Sequence, residues 1–406
     1  MSIEVRKIDA DEFEAWDALI TTTFGYDPRR EDLEFFRNRN ELDRAYAAYD
    51  GGEMVGTAGV ISYQMTLPGG AVLPAAGITA VTVKSTHRRR GVLTAMMRAQ
   101  HADAVGRREP LAALWASESA IYPRFGYGIA TEAADLTIDR RHTAMEFPAG
   151  TNGRVRLLTL DEAKATLPAL YERSTDGVPG TLLRSDPREW DAYFYDPENW
   201  RDGASAARFA VFERDGEPRG YVRYRQKPDW EDNHPNHRVR VGELHAVDAE
   251  AYAALFRYVF SIDLVTSVEI FNRRLDEPLL WMLAEPRRLR KRVYDQIWLK
   301  TLDVAEALAS RRYAVDGGLV VEVVDDFDDA GGRFLLEGGP DGARCVPTGR
   351  APDLTLAVAD LSAALLGRAR FGQLAWVGRV IGDHEAVRRA QAMFSWPVEP
   401  WCTVHF

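Results

Sequence analysis

Cysteine is scarce in this sequence, and long apolar runs are missing. Cys345 and Cys402 are the only cysteines among 406 residues, which argues against a disulfide scaffold and against a cysteine-based zinc site. The first residues contain no signal-like apolar run, and no stretch of about 18 apolar residues follows. We therefore expect a cytoplasmic protein with no membrane span and no bound metal.

A surplus of basic residues is also missing. Lys and Arg number 51 against 61 Asp and Glu, so the formal net charge is −10, which disfavours nucleic acid as a partner. The same acidity is compatible with a cationic substrate, and it is equally compatible with a role in solubility alone. The composition, with 46% hydrophobic and 28% charged residues, is that of a globular protein whose domains bury their own cores.

The first third of the chain mixes helices and strands. Apolar residues at helical spacing predict a helix over 11–24 and a second helix over 32–41. Two strand-like runs meet at the hairpin turn Asp50-Gly51-Gly52. A central strand at 77–84, a helix, and strands at 110–117 and 130–140 follow. This order favours a mixed α/β (α+β) domain over a doubly wound parallel sheet.

The segment 148–153, Pro-Ala-Gly-Thr-Asn-Gly, predicts a domain boundary. Beyond it the pattern partly repeats, with a helix that Asp161 is expected to cap and a turn at Asp215-Gly216. A third unit starts near Asp295. We therefore predict three domains, at 1–147, 148–294 and 295–406.

The most informative stretch lies at 81–94, where a strand enters a basic loop that opens a helix. Helix N-termini present unpaired N–H groups and a positive dipole end, which suit a pyrophosphate. Gly91 would allow close approach of the backbone, and Arg88 to Arg90 add charge. Neither a P-loop nor a dinucleotide fingerprint is present. On the residues alone, a phosphate site and a solvated basic turn are equally good interpretations.

The order strand, Arg-x-x-Gly, helix resembles the acetyl-CoA-binding motif of the GNAT superfamily. The runs THRRRGVLTAMM, ALWASESAIYPRFGYGIAT, DLTIDRR and RCVPT, with the aromatic C-terminus, resemble the enhanced intracellular survival (Eis) acetyltransferases along the whole chain. The resemblance implies an N-terminal GNAT domain, a central GNAT-like domain and a sterol-carrier-like C-terminal domain. It also implies a homo-hexamer that transfers acetyl groups from acetyl-CoA to amines of aminoglycoside-like polycationic molecules.

The resemblance assigns roles to particular residues. Tyr122 matches the general acid, and Phe406 supplies the terminal carboxylate that matches the general base. The residues expected along acetyl-CoA are Val81, Thr82, Val83, Arg88, Arg89, Arg90, Gly91, Val92, Leu93, Thr94, Ser117 and Glu118.

The sequence leaves alternatives for the identity of the general base and for the residues of the substrate pocket. An α-carboxyl is a weak base at a pKa of about 3.5, so burial would have to raise that value, or His405 shares the role. We predict that Asp27 and Glu31 hold a cationic amine beside Phe24, with Trp401 and His405 near the tail. A solvated helix face accounts for the two acids almost as well. Tyr127 lies close to Tyr122 in the sequence and is expected to pack.

Two further functions compete with transfer to small amines. The same machinery would serve a protein or peptide lysine acetyltransferase. A non-catalytic lipid or small-molecule carrier, with the C-terminal domain as its functional part, is the alternative from a different class. The basic loop and Tyr122 argue against the carrier.

Overall fold

The computed structural model describes residues 3–148 and 152–406, which form two compact units. The first contains the described residues of 1–131 together with 177–188 and 295–406; the second contains those of 132–176 together with 189–294. The first unit thus combines the N-terminal and C-terminal parts of the chain. The predicted linker at 148–153 includes 149–151, which lie outside the described residues. The boundaries of the three predicted domains stay predictions.

The N-terminal part of the chain folds as helices around a mixed sheet. Apolar residues at helical spacing bury one face of its first helix. The elements are β1 Glu4–Lys7, α1 Phe13–Thr23, α2 Arg30–Arg39, β2 Tyr46–Asp50, β3 Glu53–Thr66, β4 Val72–Val83, α3 Val92–Gly106, β5 Leu111–Trp115 and β6 Gly128–Ile129.

The middle of the chain supplies a second sheet, with strand order β15-β7-β14-β13-β10-β9-β8. Its helix α4 is capped by Thr159 and Glu162 in a reciprocal capping box, and not by Asp161 as the sequence suggested. The elements are β7 Glu132–Asp139, β8 Gly153–Leu158, α4 Leu160–Thr175, α5 Pro187–Phe194, β9 Arg208–Arg214, β10 Glu217–Lys227, β11 Trp230–Glu231, β12 His234–Pro235, β13 His237–Ala246, α6 Ala249–Ser261, β14 Val265–Arg273, α7 Leu279–Met282 and β15 Arg290–Asp295.

The C-terminal part adds a third sheet, with strand order β19-β18-β17-β20-β21. Within the described residues, no helix is long and apolar enough to cross a membrane. The elements are β16 Ile297–Thr301, α8 Val304–Ser310, β17 Gly317–Val324, β18 Gly332–Gly339, β19 Gly342–Pro347, β20 Leu354–Ala357, α9 Val358–Leu365, α10 Phe371–Trp376, β21 Val380–Gly382 and α11 His384–Phe394.

Two strands pair differently from the sequence expectation. The N-terminal sheet has the order β1-β2-β3-β4-β5-β16-β6, so β16, from the predicted third domain, lies between β5 and β6. The strand predicted at 130–140 exists as β7, but it pairs with β14 in the second sheet. Strands pair with partners that are distant in the sequence, so the residue pattern of a strand does not identify the strand beside it.

One hydrophobic core joins the N-terminal sheet to the C-terminal sheet within the first unit. It contains Tyr63 of β3 and Leu111 of β5 together with Leu319 of β17, Phe394 of α11 and Phe406. Because the two parts share this core, the C-terminal residues are packed against the N-terminal sheet rather than tethered to it.

Arg44 anchors the N-terminal part through buried charges. Its guanidinium is fully buried and donates two hydrogen bonds to Glu109, at 2.7 and 2.6 Å. It also donates to Asp103 and to Ser62, both at 2.8 Å. Removing a buried cation would leave these carboxylates without their partner.

We predict that Arg44→Met destabilises the protein by about 3–5 kcal/mol, because Glu109 and Asp103 lose the charge that compensates their burial. Arg107→Met is the control: Arg107 also pairs with Asp103, but its side chain is 38% exposed, so the expected loss is about 1 kcal/mol or less. Thermal and urea denaturation measure both. Equal midpoints for the two variants would contradict the anchoring role.

Candidate active site

The central strands β4 and β5 separate at their ends. They pair in parallel from Ala75↔Leu111 to Ile78↔Leu114, where the ladder stops. The register of β4 against β3 shifts just beyond this point, where Ala80 has a φ of 52°. A bulge of this kind bends the strand. The result is an opening between β4 and β5 whose backbone groups are not used by the ladder.

The loop between β4 and α3 ends in Gly91, the N-cap of α3. Gly91 has a φ of 81°, the left-handed region that favours glycine. A Cβ placed there would meet no protein atom within 4 Å, so the backbone is open to a ligand. Arg88, Arg89 and Arg90 are exposed beside it. The guanidinium Nη1 of Arg90 lies 3.5 Å from the carboxylate Oδ2 of Asp50. The free N–H groups of the first turn of α3 and these cations fit a pyrophosphate.

A cavity of about 460 Å³ lies at the opening between β4 and β5. Thr79, Ala80 and Val81 line it from β4, and Trp115, Ala116 and Ser117 from β5 and the residues after it. Phe24, Tyr122, His405 and Phe406 complete part of the wall. The structure therefore brings the tail of the chain to the same cavity as Tyr122.

Tyr122 begins a short 3₁₀ helix and is 6% exposed. Burial raises the pKa of its hydroxyl, and a hydrogen bond with Ser117 acts in the opposite direction. The group is therefore protonated, and able to donate, at ordinary pH. Tyr127 differs: it is fully buried, and its hydroxyl shares a 2.8 Å hydrogen bond with His101. Tyr127 packs edge-on against Tyr122 and supports it.

The tail is held by hydrogen bonds and ring contacts. Gln296 donates to the carbonyl of Cys402 at 2.7 Å, and the indole of Trp115 donates to that of Val404 at 3.3 Å. Arg39 donates to the carbonyl of His405 at 2.6 Å. The ring of Phe406 packs against Tyr63 with 5.1 Å between centroids. These contacts fix the position of the last residue.

His405 lies on the cavity wall, with its ring 4.6 Å from that of Trp115. Desolvation of the ring lowers its pKa, and the positive charge of Arg39 acts in the same direction. His405 is therefore mostly neutral at neutral pH.

Other predicted site residues lie elsewhere. Asp27 and Glu31 are exposed and absent from the cavity wall, as is Glu118. Trp401 is buried, and its N–H donates to the carbonyl of Pro179. The hydroxyl of Thr82 shares a 2.7 Å hydrogen bond with the hydroxyl of Thr57. The substrate contacts predicted for Asp27, Glu31 and Trp401 thus receive no support from the geometry and stay predictions.

Two charged residues on the cavity wall were not predicted from the sequence. Asp17 lies on the buried side of α1 and Arg39 at the end of α2. An acid that falls among Phe13, Trp16 and Ile20 on the apolar face of an amphipathic helix was the available signal for Asp17. Among the described residues, no cluster of acids, histidines and cysteines could hold a metal ion.

Three family models match separate parts of the chain. An acetyltransferase (GNAT) domain model matches residues 4–130, and a second acetyltransferase (GNAT) domain model matches 180–300. A sterol carrier protein domain model matches 304–403. The predicted fold, tandem GNAT domains followed by a sterol-carrier-like domain, is thereby confirmed.

Relatives cover the chain from end to end. An N-acetyltransferase of Streptomyces avermitilis is 42% identical over 406 residues, 99% of each chain. N-acetyltransferase Eis of Mycobacterium tuberculosis is 37% identical over 351 residues, 85% of this chain and 84% of its own. The crystal structure of Eis1 from Mycobacterium abscessus superposes with a TM-score of 0.85 at 32% identity over 100% of both chains.

These matches favour the enzyme over the carrier interpretation, and they confirm the resemblance drawn from the residue runs. The chain belongs to the Eis family of GNAT N-acetyltransferases and is an acetyl-CoA-dependent acyltransferase.

Proposed function

We propose that this enzyme transfers the acetyl group of acetyl-CoA directly to amines of aminoglycoside-like polycationic small molecules. Tyr122 is the general acid, and the α-carboxylate of Phe406 is the general base. The observation that carries the proposal is that Tyr122 and Phe406 line one cavity, at the opening between β4 and β5.

Each group has a defined task. A primary ammonium has a pKa of about 10.4 and must lose a proton before it attacks. The carboxylate of Phe406 orients the amine and accepts that proton or passes it to water. The thiolate that leaves must gain a proton, and the hydroxyl of Tyr122 donates it.

Backbone groups bind the cofactor and stabilise the charge that develops on the carbonyl oxygen. Acetyl-CoA, when bound, supplies an activated thioester. We assign the pantetheine and pyrophosphate to the backbone of 81–83 and 89–94, with Arg88 to Arg90 adding charge and Ser117 near the acetyl end. A backbone N–H near Val83 would stabilise the carbonyl oxygen as it becomes negative. The homo-hexamer implied by the resemblance stays a prediction.

The substrate class is tested by thiol release from acetyl-CoA with a panel of aminoglycosides, polyamines and lysine peptides. The proposal predicts release with aminoglycosides and polyamines. Release with peptides alone would move the assignment to a protein lysine acetyltransferase. No release with any amine, although acetyl-CoA binds, would contradict the substrate class.

Tyr122→Phe should lower kcat by about 10²–10⁴-fold, because the proton donor is lost while the ring remains. Tyr127→Phe is the matched control, since it removes a hydroxyl that bonds His101 and lies outside the cavity wall. We expect it to lower the melting temperature more than the turnover. Steady-state kinetics and thermal unfolding of both variants check this, and equal losses of kcat would refute the acid role.

Converting the terminal carboxylate of Phe406 to an amide by intein-mediated ligation removes the proposed base and keeps the ring. Turnover should fall by about 10²-fold or more, with an unchanged affinity for acetyl-CoA. The same ligation with a free carboxylate is the control. Unchanged turnover in the amidated chain would transfer the base role to another group, with His405 the first candidate.

Gly91→Ala should weaken acetyl-CoA binding by about tenfold or more. The substitution strains a residue at positive φ by about 1–2 kcal/mol and puts a methyl group where the phosphates approach. Gly70→Ala is the control, because Gly70 also has a positive φ, of 87°, and open space around its Cβ, but lies in the turn before β4. Isothermal titration measures both; equal affinities would exclude this loop as the phosphate site.

A further inference from the structure

Asp17 is a buried acid on the wall of the cavity. It lies on α1, is 8% exposed and lines the cavity beside Trp16, Ile20 and Phe24. Among the described residues, no side chain or backbone N–H donates a hydrogen bond to this carboxylate. A carboxylate in such a place is costly to keep ionised unless something in the cavity pairs with it.

The charges around Asp17 make the need for a partner stronger. Asp32, also buried, faces it from α2 and repels it. Arg39, the guanidinium on the same cavity wall, donates to the carbonyl of His405 at 2.6 Å, and its charge acts on His405. The groups that act on Asp17 are its apolar surroundings and Asp32, and Arg39 is not among them.

The surroundings of Asp17 suit an ammonium group. Trp16, Phe24 and Phe36 line the same cavity, and aromatic faces attract cations. The cavity, of about 460 Å³, has the size of a site for a small organic molecule. An ammonium there would donate a charge-assisted hydrogen bond to a desolvated carboxylate.

Asp17 and Tyr122 are acted on by different polar groups. The polar group that acts on Asp17 is Asp32, whereas those that act on Tyr122 are Ser117 and Glu118. The amine that reacts must also be neutral when it attacks, whereas a group held by a carboxylate stays charged. The group that pairs with Asp17 is therefore a second one.

We propose that Asp17 forms a subsite for a second ammonium group of the substrate, so that the enzyme selects molecules with at least two amines. This inference rests on the proposed function. Asp17 acts here as a specificity residue in binding, while Tyr122 and Phe406 act on the reacting amine.

The melting temperature of the protein without substrate tests the role of Asp17 independently of turnover. Burial, together with Asp32, raises the pKa of Asp17 to about 6 from the ordinary 3.8. A carboxyl with a raised pKa in the folded state costs stability as the pH rises from about 4 through 6, and the cost remains above that range. Asp17→Asn removes this cost, so its melting temperature at pH 7.5 should equal or exceed that of the native protein. A structural role for Asp17 would lower it.

The test compares 1,5-diaminopentane with 1-aminopentane, which differ in the second amine. For the native enzyme, kcat/KM should be about 10- to 100-fold higher for the diamine. Asp17→Asn should bring the ratio close to one by raising KM for the diamine, with little change for the monoamine. Glu14→Gln is the control: it makes the same charge change on α1 at a side chain that is 66% exposed, and it should keep the native ratio.

Binding separates the two proposals if turnover fails. Isothermal titration of the diamine, without acetyl-CoA, should give a Kd that weakens about 10- to 100-fold in Asp17→Asn. An unchanged Kd and an unchanged substrate ratio would overturn the subsite. Loss of kcat with both amines would overturn it too, because it would place Asp17 in general catalysis. Diamine binding that needs Asp17, without acetylation of any amine, would contradict the proposed reaction and support the subsite.

Discussion

The seating of the last residues of the chain against the N-terminal sheet is the interaction on which the candidate site depends. Phe406 packs on Tyr63 in the core that joins the two parts of the first unit. Gln296 and Trp115 bond the tail carbonyls, and Arg39 bonds that of His405. The proposed general base is a chain terminus, which has to be fixed to a fraction of an ångström, and these contacts hold the last residue in place. Strand β16 pairs with β5. This pairing attaches the start of the C-terminal part of the chain to the N-terminal sheet.

The cavity combines groups with different electrostatic tasks. The hydroxyl of Tyr122 is kept protonated by burial, and His405 is kept neutral by desolvation and by Arg39. In the proposed reaction, Asp17 and the carboxylate of Phe406 outweigh the positive charge of Arg39 on the same cavity wall, and this balance suits a polyamine. The exposed arginines and the N-terminus of α3 carry the opposite sign, which suits the phosphates of acetyl-CoA in the proposed binding mode.

The sequence predicted the parts of the site that depend on local structure. The loop before α3 is recognisable because a strand, a glycine and an amphipathic helix follow in direct order, and the turn at Asp215-Gly216 has both residues at positive φ. The exchange of β7 and β16 between sheets was not predictable, because strand pairing depends on contacts far apart in the sequence. Asp17 was missed because an acid within a helical pattern is ordinarily solvated, and its burial follows only from the packing of α1 on α2 and β4. Asp27, in the loop after α1, and Glu31, on α2, were predicted from their charge and from the aromatic residues near them, and both are exposed in the fold.

The most direct test of the account is a crystal structure of the complex with CoA. We predict that the pyrophosphate lies at the N-terminus of α3 and that the pantetheine enters between β4 and β5. The sulfur should then lie in the cavity, within hydrogen-bonding reach of the Tyr122 hydroxyl and on the side that faces the Phe406 carboxylate. A sulfur outside this cavity, or a tail displaced from it by the bound CoA, would contradict the claim that the two ends of the chain form one active site.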